Sequence, residues 1–163
     1  MKILIISGVV AGGKSTASKL YAKSKSKCAL IETDDVRHMV VSQHTAPWKG
    51  NEGIRQLELG VSNTCLLAKR FVEAGFDVVI ADFVTSRTLP IYKKLLQKHD
   101  PYVVQLVPSF QEAKRRFDVR TERVTDSEFK MLYEMQAKFI EADLRIDNTS
   151  LSPQELVDRL LLL

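Results

Sequence analysis

A chain of 163 residues, 45% of them hydrophobic, has the size of one ordinary globular domain: enough apolar side chains for a single core, too few residues for two. Its 24 basic and 20 acidic residues leave a net charge of +4, which suits an anionic ligand without demanding nucleic acid. No apolar run approaches the roughly 18 residues of a membrane span, and Cys28 and Cys65 lack CxxC spacing, so a cytoplasmic protein with two buried thiols and no disulfide is expected.

In chain order, the first feature is "ILIISGVVAGGKST", residues 3–16. The start resembles a secretory leader in charge and apolarity, but "GGKST" runs into a helical pattern with Ala17, Leu20 and Tyr21 on one side, not into a cleavage region. The alternative is GxxxxGK[ST], matched by Gly8, Gly13, Lys14 and Ser15 between a predicted strand and a predicted helix. Such a loop gathers backbone N–H groups on one concave spot and binds phosphate. Gly8, Ala11, Gly12, Gly13, Lys14, Ser15 and Thr16 are therefore the candidate nucleotide-binding residues, with Lys14 adding a full charge and Ser15 a hydroxyl for the Mg²⁺ that travels with a nucleotide.

Aliphatic stretches recur at 28–33, 76–82, 102–107 and 143–147, with helical patterns between them. The longest pattern, 52–75, places Ile54, Leu57, Val61, Cys65, Ala68 and Val72 at helical spacing and stops at Gly75. Alternating strands and helices mean an α/β protein: a parallel sheet with helices on both faces, one domain over 1–163. The longest irregular piece is 42–51, closed by Asn51 or a neighbour as a helix cap. Its Trp48, the sole tryptophan, either covers an edge of the core or walls an acceptor pocket. Lys19, Lys23, Lys25 and Lys27 read as a solvated helix face. His38, His44 and His99 show no metal-ligand spacing with the cysteines, so the expected metal is one carried by the nucleotide.

A second constellation, "ETDDVRHM", ends the second strand at the sheet edge where open α/β sheets bind ligands. Asp34 is the candidate base for an attacking hydroxyl, Asp35 the helix cap, and Arg37 the group that orients an anionic acceptor. Asp82 closes the third strand and is a candidate to position Mg²⁺, the alternative being a turn cap. After the fourth strand, Arg116 and Arg120 are expected on one helical face, with Arg123 beyond the helix end; arginines suit a triphosphate because they stay charged and bind oxygens in pairs.

Together these motifs resemble the small P-loop kinases, in particular the group that contains chloramphenicol phosphotransferase and the kinase domain of phage polynucleotide kinase. "TDDVRHM", with Asp34 twenty residues after Lys14, is similar to that group's catalytic aspartate motif. The resemblance implies Asp34 as general base, Arg37 on the acceptor, and Arg116 and Arg120 as lid arginines on adenine and the transferring phosphate. It also implies ATP and Mg²⁺ as cofactors, a P-loop NTPase fold built as a three-layer αβα sandwich, and five parallel strands in the order 2-3-1-4-5. "PWKGNEG" has no counterpart in polynucleotide kinase, so the acceptor is left open between a small molecule and a nucleic-acid 5′-hydroxyl. No guanine-reading NKxD motif is present, which disfavours a GTPase; a nucleoside monophosphate kinase and a non-catalytic ATP-binding module stay as alternatives.

Overall fold

The computed structural model describes residues 1–121 and 124–163. Strands β1 (Ile3–Gly8), β2 (Cys28–Glu32), β3 (Asp77–Ala81), β4 (Tyr102–Leu106) and β5 (Leu144–Ile146) are all parallel and lie in the order β2-β3-β1-β4-β5. Between and after them come α1 (Lys14–Lys23), α2 (Thr33–His38), α3 (Gly50–Glu73), α4 (Leu89–Leu95), α5 (Phe110–Asp118), α6 (Asp126–Lys138) and α7 (Pro153–Leu161), with a 3₁₀ turn at Gln97–His99. This is the αβα sandwich and the strand order that the family resemblance implied.

The pleat sorts the aliphatic side chains onto two faces. Ile3 and Ile5 of β1, with Ile31, Ile80 and Val103, pack against Val61 and Cys65 of α3 and Tyr92 of α4. Leu4 and Ile6, with Val79 and Val104, pack against Ala17 and Tyr21 of α1 and Leu156 and Leu160 of α7. Both faces of β1 are thus covered, as a central parallel strand requires, and all six of its residues are buried. Each such aliphatic side chain contributes about 1.5–3 kcal/mol by leaving water. A third cluster, Val9, Ala11, Ala113, Phe117 and Phe129, sits beyond the carboxyl edge of the sheet; there the Phe117 and Phe129 rings stack at 4.5 Å and anchor α5 and α6 beside the loop after β1.

Three local expectations are corrected. Helix α3 begins at Gly50, so Asn51 lies inside it; Lys49 holds the cap position and no side chain caps the helix. Its buried face includes Gly53, Gln56, Gly60 and Thr64, while Ile54, Leu57 and Val72 are half-buried. The reason is that the first half of α3 packs on the backbone of residues 43–47 and on the Arg37 stem, where polar and side-chain-free residues fit better than aliphatics. Gln56 accepts a hydrogen bond from Thr45 N at 2.9 Å and donates to Gln43 O at 3.0 Å, stapling the irregular segment onto α3. Finally, α5 stops at Asp118, so Arg116 is on a helix and Arg120 is in the turn after it. Arg123 lies outside the described residues.

Cys28 and Cys65 are both free thiols, the latter fully buried with its pKa pushed up to about 12 by that burial. The lysines around α1 are tied to neighbours: Lys19 pairs with Glu32 at 3.1 Å, and Lys25 and Lys27 lie over the rings of Tyr21 and Phe76. Among the described residues no helix is long and apolar enough to cross a membrane.

Candidate functional site

The site grows from the turn that follows β1. Gly8, at φ 143°, runs so close to β4 that an added Cβ would stand 2.2 Å from Leu106 O. The position therefore accepts no side chain. Gly13, at φ 95°, is the cap residue of α1, which has no side-chain cap and no acidic residue in its first turn. The first N–H groups of a helix have no carbonyl of their own, so this end of α1 presents uncompensated donors and partial positive charge. Lys14 folds back over the turn, its Nζ donating to Gly8 O and Val9 O at 3.0 Å each.

Beside that helix end lies a cavity of about 630 Å³, whose lining includes Gly13, Thr16, Arg116, Arg120 and Asn148. Arg116 is held there by Glu112, to which its Nε donates at 2.7 Å, and by Asn148 O at 3.2 Å. Glu112, flanked by Arg115 and Arg116, is drawn down to about 2. Asn148 is buried and donates from Nδ2 to Gly12 O at 2.9 Å, so one residue fastens both the loop and the arginine. The cradle suits a polyphosphate with a flat base: backbone donors at one end, Arg115, Arg116 and Arg120 in its lining.

Ser15 does not point into empty space. Its Oγ donates to Glu32 Oε2 at 3.0 Å, which leaves the hydroxyl lone pairs to face a cation. Asp82, just past β3, is 4% exposed. Burial raises its carboxyl to about 6, with the nearby Asp34 charge adding to the rise; the Tyr92 hydroxyl, the Phe83 N–H and Lys14 pull the other way. Lys14 opens α1 after β1, Asp34 lies in the first turn of α2 after β2, and Asp82 directly follows β3; the three strands are neighbours in the sheet, so all three residues stand at its carboxyl edge.

After β2, α2 starts at Thr33 with Glu32 as its cap residue and no capping side chain, so Asp35 is not the cap it was expected to be. Asp34 and Asp35 instead sit within the first helical turn, where a carboxylate is favoured by the helix dipole. Asp34 Oδ1 accepts from Arg37 Nη1 at 2.8 Å, and the Asp34 side chain is 67% exposed to solvent. Arg37 is 8% exposed and its Nε has no partner among the described residues. Its stem lies on Gly60 of α3, where an added Cβ would meet Arg37 Cγ at 2.5 Å. Trp48 takes neither expected role in full: its ring is 38% exposed, and its Nε1 donates to Glu128 Oε1 of α6 at 3.0 Å, joining the irregular segment to the far side of the cleft.

Comparison with solved structures adds the fold's relatives. A sugar kinase from Janibacter sp. superposes with a TM-score of 0.75 at 17% identity, covering 99% of this chain and 93% of its own. The APS kinase of Mycobacterium tuberculosis, solved with AMPPNP and APS, gives 0.71 at 16%, with 98% and 95% covered. Shikimate kinase from Aquifex aeolicus gives 0.66 at 19%, with 98% and 94% covered. The fold is that of the small P-loop kinases. No protein-family profile and no curated protein matches the sequence. Within this kinase fold four residues carry site contacts that the motifs did not flag: Glu32, Tyr92, Glu112 and Asn148. Glu32 stands two positions before Asp34 at a strand end, a spacing that could have drawn attention to it; Asn148 and Tyr92 have no local signal.

Proposed function

We propose that the protein is an ATP-dependent phosphotransferase that moves the γ-phosphate to a hydroxyl group, with a small molecule or a nucleic-acid 5′-end as acceptor. The observation that carries this reading is the position of Lys14, Asp34 and Asp82 at the carboxyl ends of the neighbouring strands β1, β2 and β3, with the arginine-lined cavity at the start of α1. Phosphoryl transfer asks a protein mainly for positioning and charge, and these residues supply both.

The loop N–H groups and Lys14 hold the phosphates, and Arg116 and Arg120 hold the nucleotide and meet charge that develops on the transferring group. Ser15, oriented by Glu32, and Asp82 would hold Mg²⁺, which supplies positive charge to the phosphate oxygens. Asp34 takes the proton from the acceptor hydroxyl as its oxygen bonds to the γ-phosphorus and the bond to the ADP oxygen breaks. Arg37 fixes Asp34 through Oδ1 and leaves its other oxygen for that proton.

The test is an ATP-consumption screen over alcohols (antibiotics, sugars, nucleosides, 5′-hydroxyl oligonucleotides) alongside nucleoside monophosphates. ADP release with an alcohol is the expected result. Release with monophosphates alone would make the protein a monophosphate kinase, and tight ATP binding with no release at all would make it a nucleotide-sensing module.

A further inference from the structure

Behind the cleft runs a line of buried hydroxyls that the transfer chemistry just described does not use. Tyr92 of α4 is fully buried, and its OH donates to Asp82 Oδ2 at 2.9 Å. The same phenolic oxygen lies 3.1 Å from Thr33 Oγ1. Having given its own proton to Asp82, Tyr92 can only accept there, so Thr33 is the donor of that bond. Thr64 of α3, also fully buried, donates in turn to Thr33 Oγ1 at 3.4 Å. The bonds therefore all run in one sense, Thr64 to Thr33 to Tyr92 to Asp82, across α3, α2, α4 and the end of β3.

Buried hydroxyls are costly unless paired, and here each pairing has a consequence at the cleft. Oδ2 of Asp82 is taken by Tyr92, which fixes the plane of the carboxylate. Thr33 is the first residue of α2, adjacent to Asp34. One hydroxyl, that of Tyr92, is thus bonded both to the carboxylate on the metal side and to the residue preceding the base on the acceptor side.

We infer that Tyr92 and Thr33 are positioning residues that hold Asp82 and the first turn of α2 in fixed relation, so that the cation site and the proton acceptor are set by one hydrogen-bonded unit. The inference rests on the phosphotransferase reading for its kinetic arm and not for its binding arm. Partners that orient a metal-binding carboxylate cost about 10–100-fold in affinity or activity when removed.

Tyr92→Phe deletes one oxygen and keeps the ring that packs in the core. Mn²⁺ binding to the ADP complex, followed by electron paramagnetic resonance, should weaken about 10-fold, and kcat should fall about 10-fold or more with KM for ATP within about two-fold. Thr33→Val should lower kcat similarly and Thr33→Ser should restore it. Cys65→Ala, which trims the same core but removes none of the hydroxyls in the line, should change stability only. Wild-type Mn²⁺ affinity and kcat in Tyr92→Phe would overturn the inference, as would equal losses in Cys65→Ala, which would reduce the effect to packing. Should the wild type turn over no acceptor at all, the functional reading fails while the Mn²⁺ measurement still decides the role of Tyr92.

Discussion

The two halves of the cleft are built on different principles. The side proposed for the nucleotide is framed by backbone, a turn after β1, a helix end without a cap, and glycines where no side chain fits, with Lys14 and Arg116 laid over it. The side proposed for the acceptor is made of side chains reaching across the chain, Arg37 against Gly60, Gln56 against residues 43 and 45, Thr33 against Tyr92. A backbone site is fixed by a contiguous run of residues, so it binds one kind of group. A side-chain site depends on contacts between distant segments, so substitutions can retune what it accepts while leaving the nucleotide half intact.

The comparison breaks most clearly at Asp34. Asp34→Asn keeps the shape and loses the basicity, so phosphoryl transfer to an alcohol should fall by about 10²-fold or more while ATP affinity holds. Calorimetry alongside single-turnover kinetics checks it; a nucleoside monophosphate phosphorylated at full rate by this variant would remove Asp34 from the role of base.

Lys14→Ala strikes the other half. Losing a charge-assisted contact worth about 1.5–3 kcal/mol should weaken ATP about 10- to 100-fold. Unchanged affinity in calorimetry would place the phosphates elsewhere.

Asp82 joins the halves and gives a third effect, in stability. In the metal-free folded state its carboxyl keeps its proton up to about pH 6, whereas the unfolded chain releases it near about 3.9. Between those values the folded state binds more protons, so stability falls as pH rises through the window and the cost is complete above it. Asp82→Asn, neutral throughout, should be more stable than the wild type at neutral pH by up to about 3 kcal/mol, with the difference gone below about pH 4, and should lose turnover. Thermal melts of both proteins without Mg²⁺ across that range provide the measurement; equal stabilities at neutral pH would show that the buried carboxylate is not strained by ionisation.

What could be read from the sequence follows the same division. The loop residues Gly8 to Thr16 are adjacent in the chain, and their chemistry is a matter of spacing, so a short pattern was enough. The strands were visible as aliphatic runs, and their order came with the family resemblance. Asn148 and Tyr92 act on Gly12 and Asp82 from 136 and 10 residues away, and neither stands in a pattern of its own. On α3 the periodicity rule looked for aliphatics and overlooked Gly53, Gln56 and Thr64, because it does not count a buried polar group whose partner comes from another element. Arg120 was assigned to a helix face because spacing of four suggests one; the helix ends two residues sooner.

Trp48 has one further consequence. As the only indole in 163 residues, with its N–H on a carboxylate of α6 and more than a third of its surface in solvent, it gives the protein a single native fluorophore seated where the two halves touch. Any parting of that segment from Glu128 alters the whole tryptophan emission, so this contact has an optical signal that needs no label.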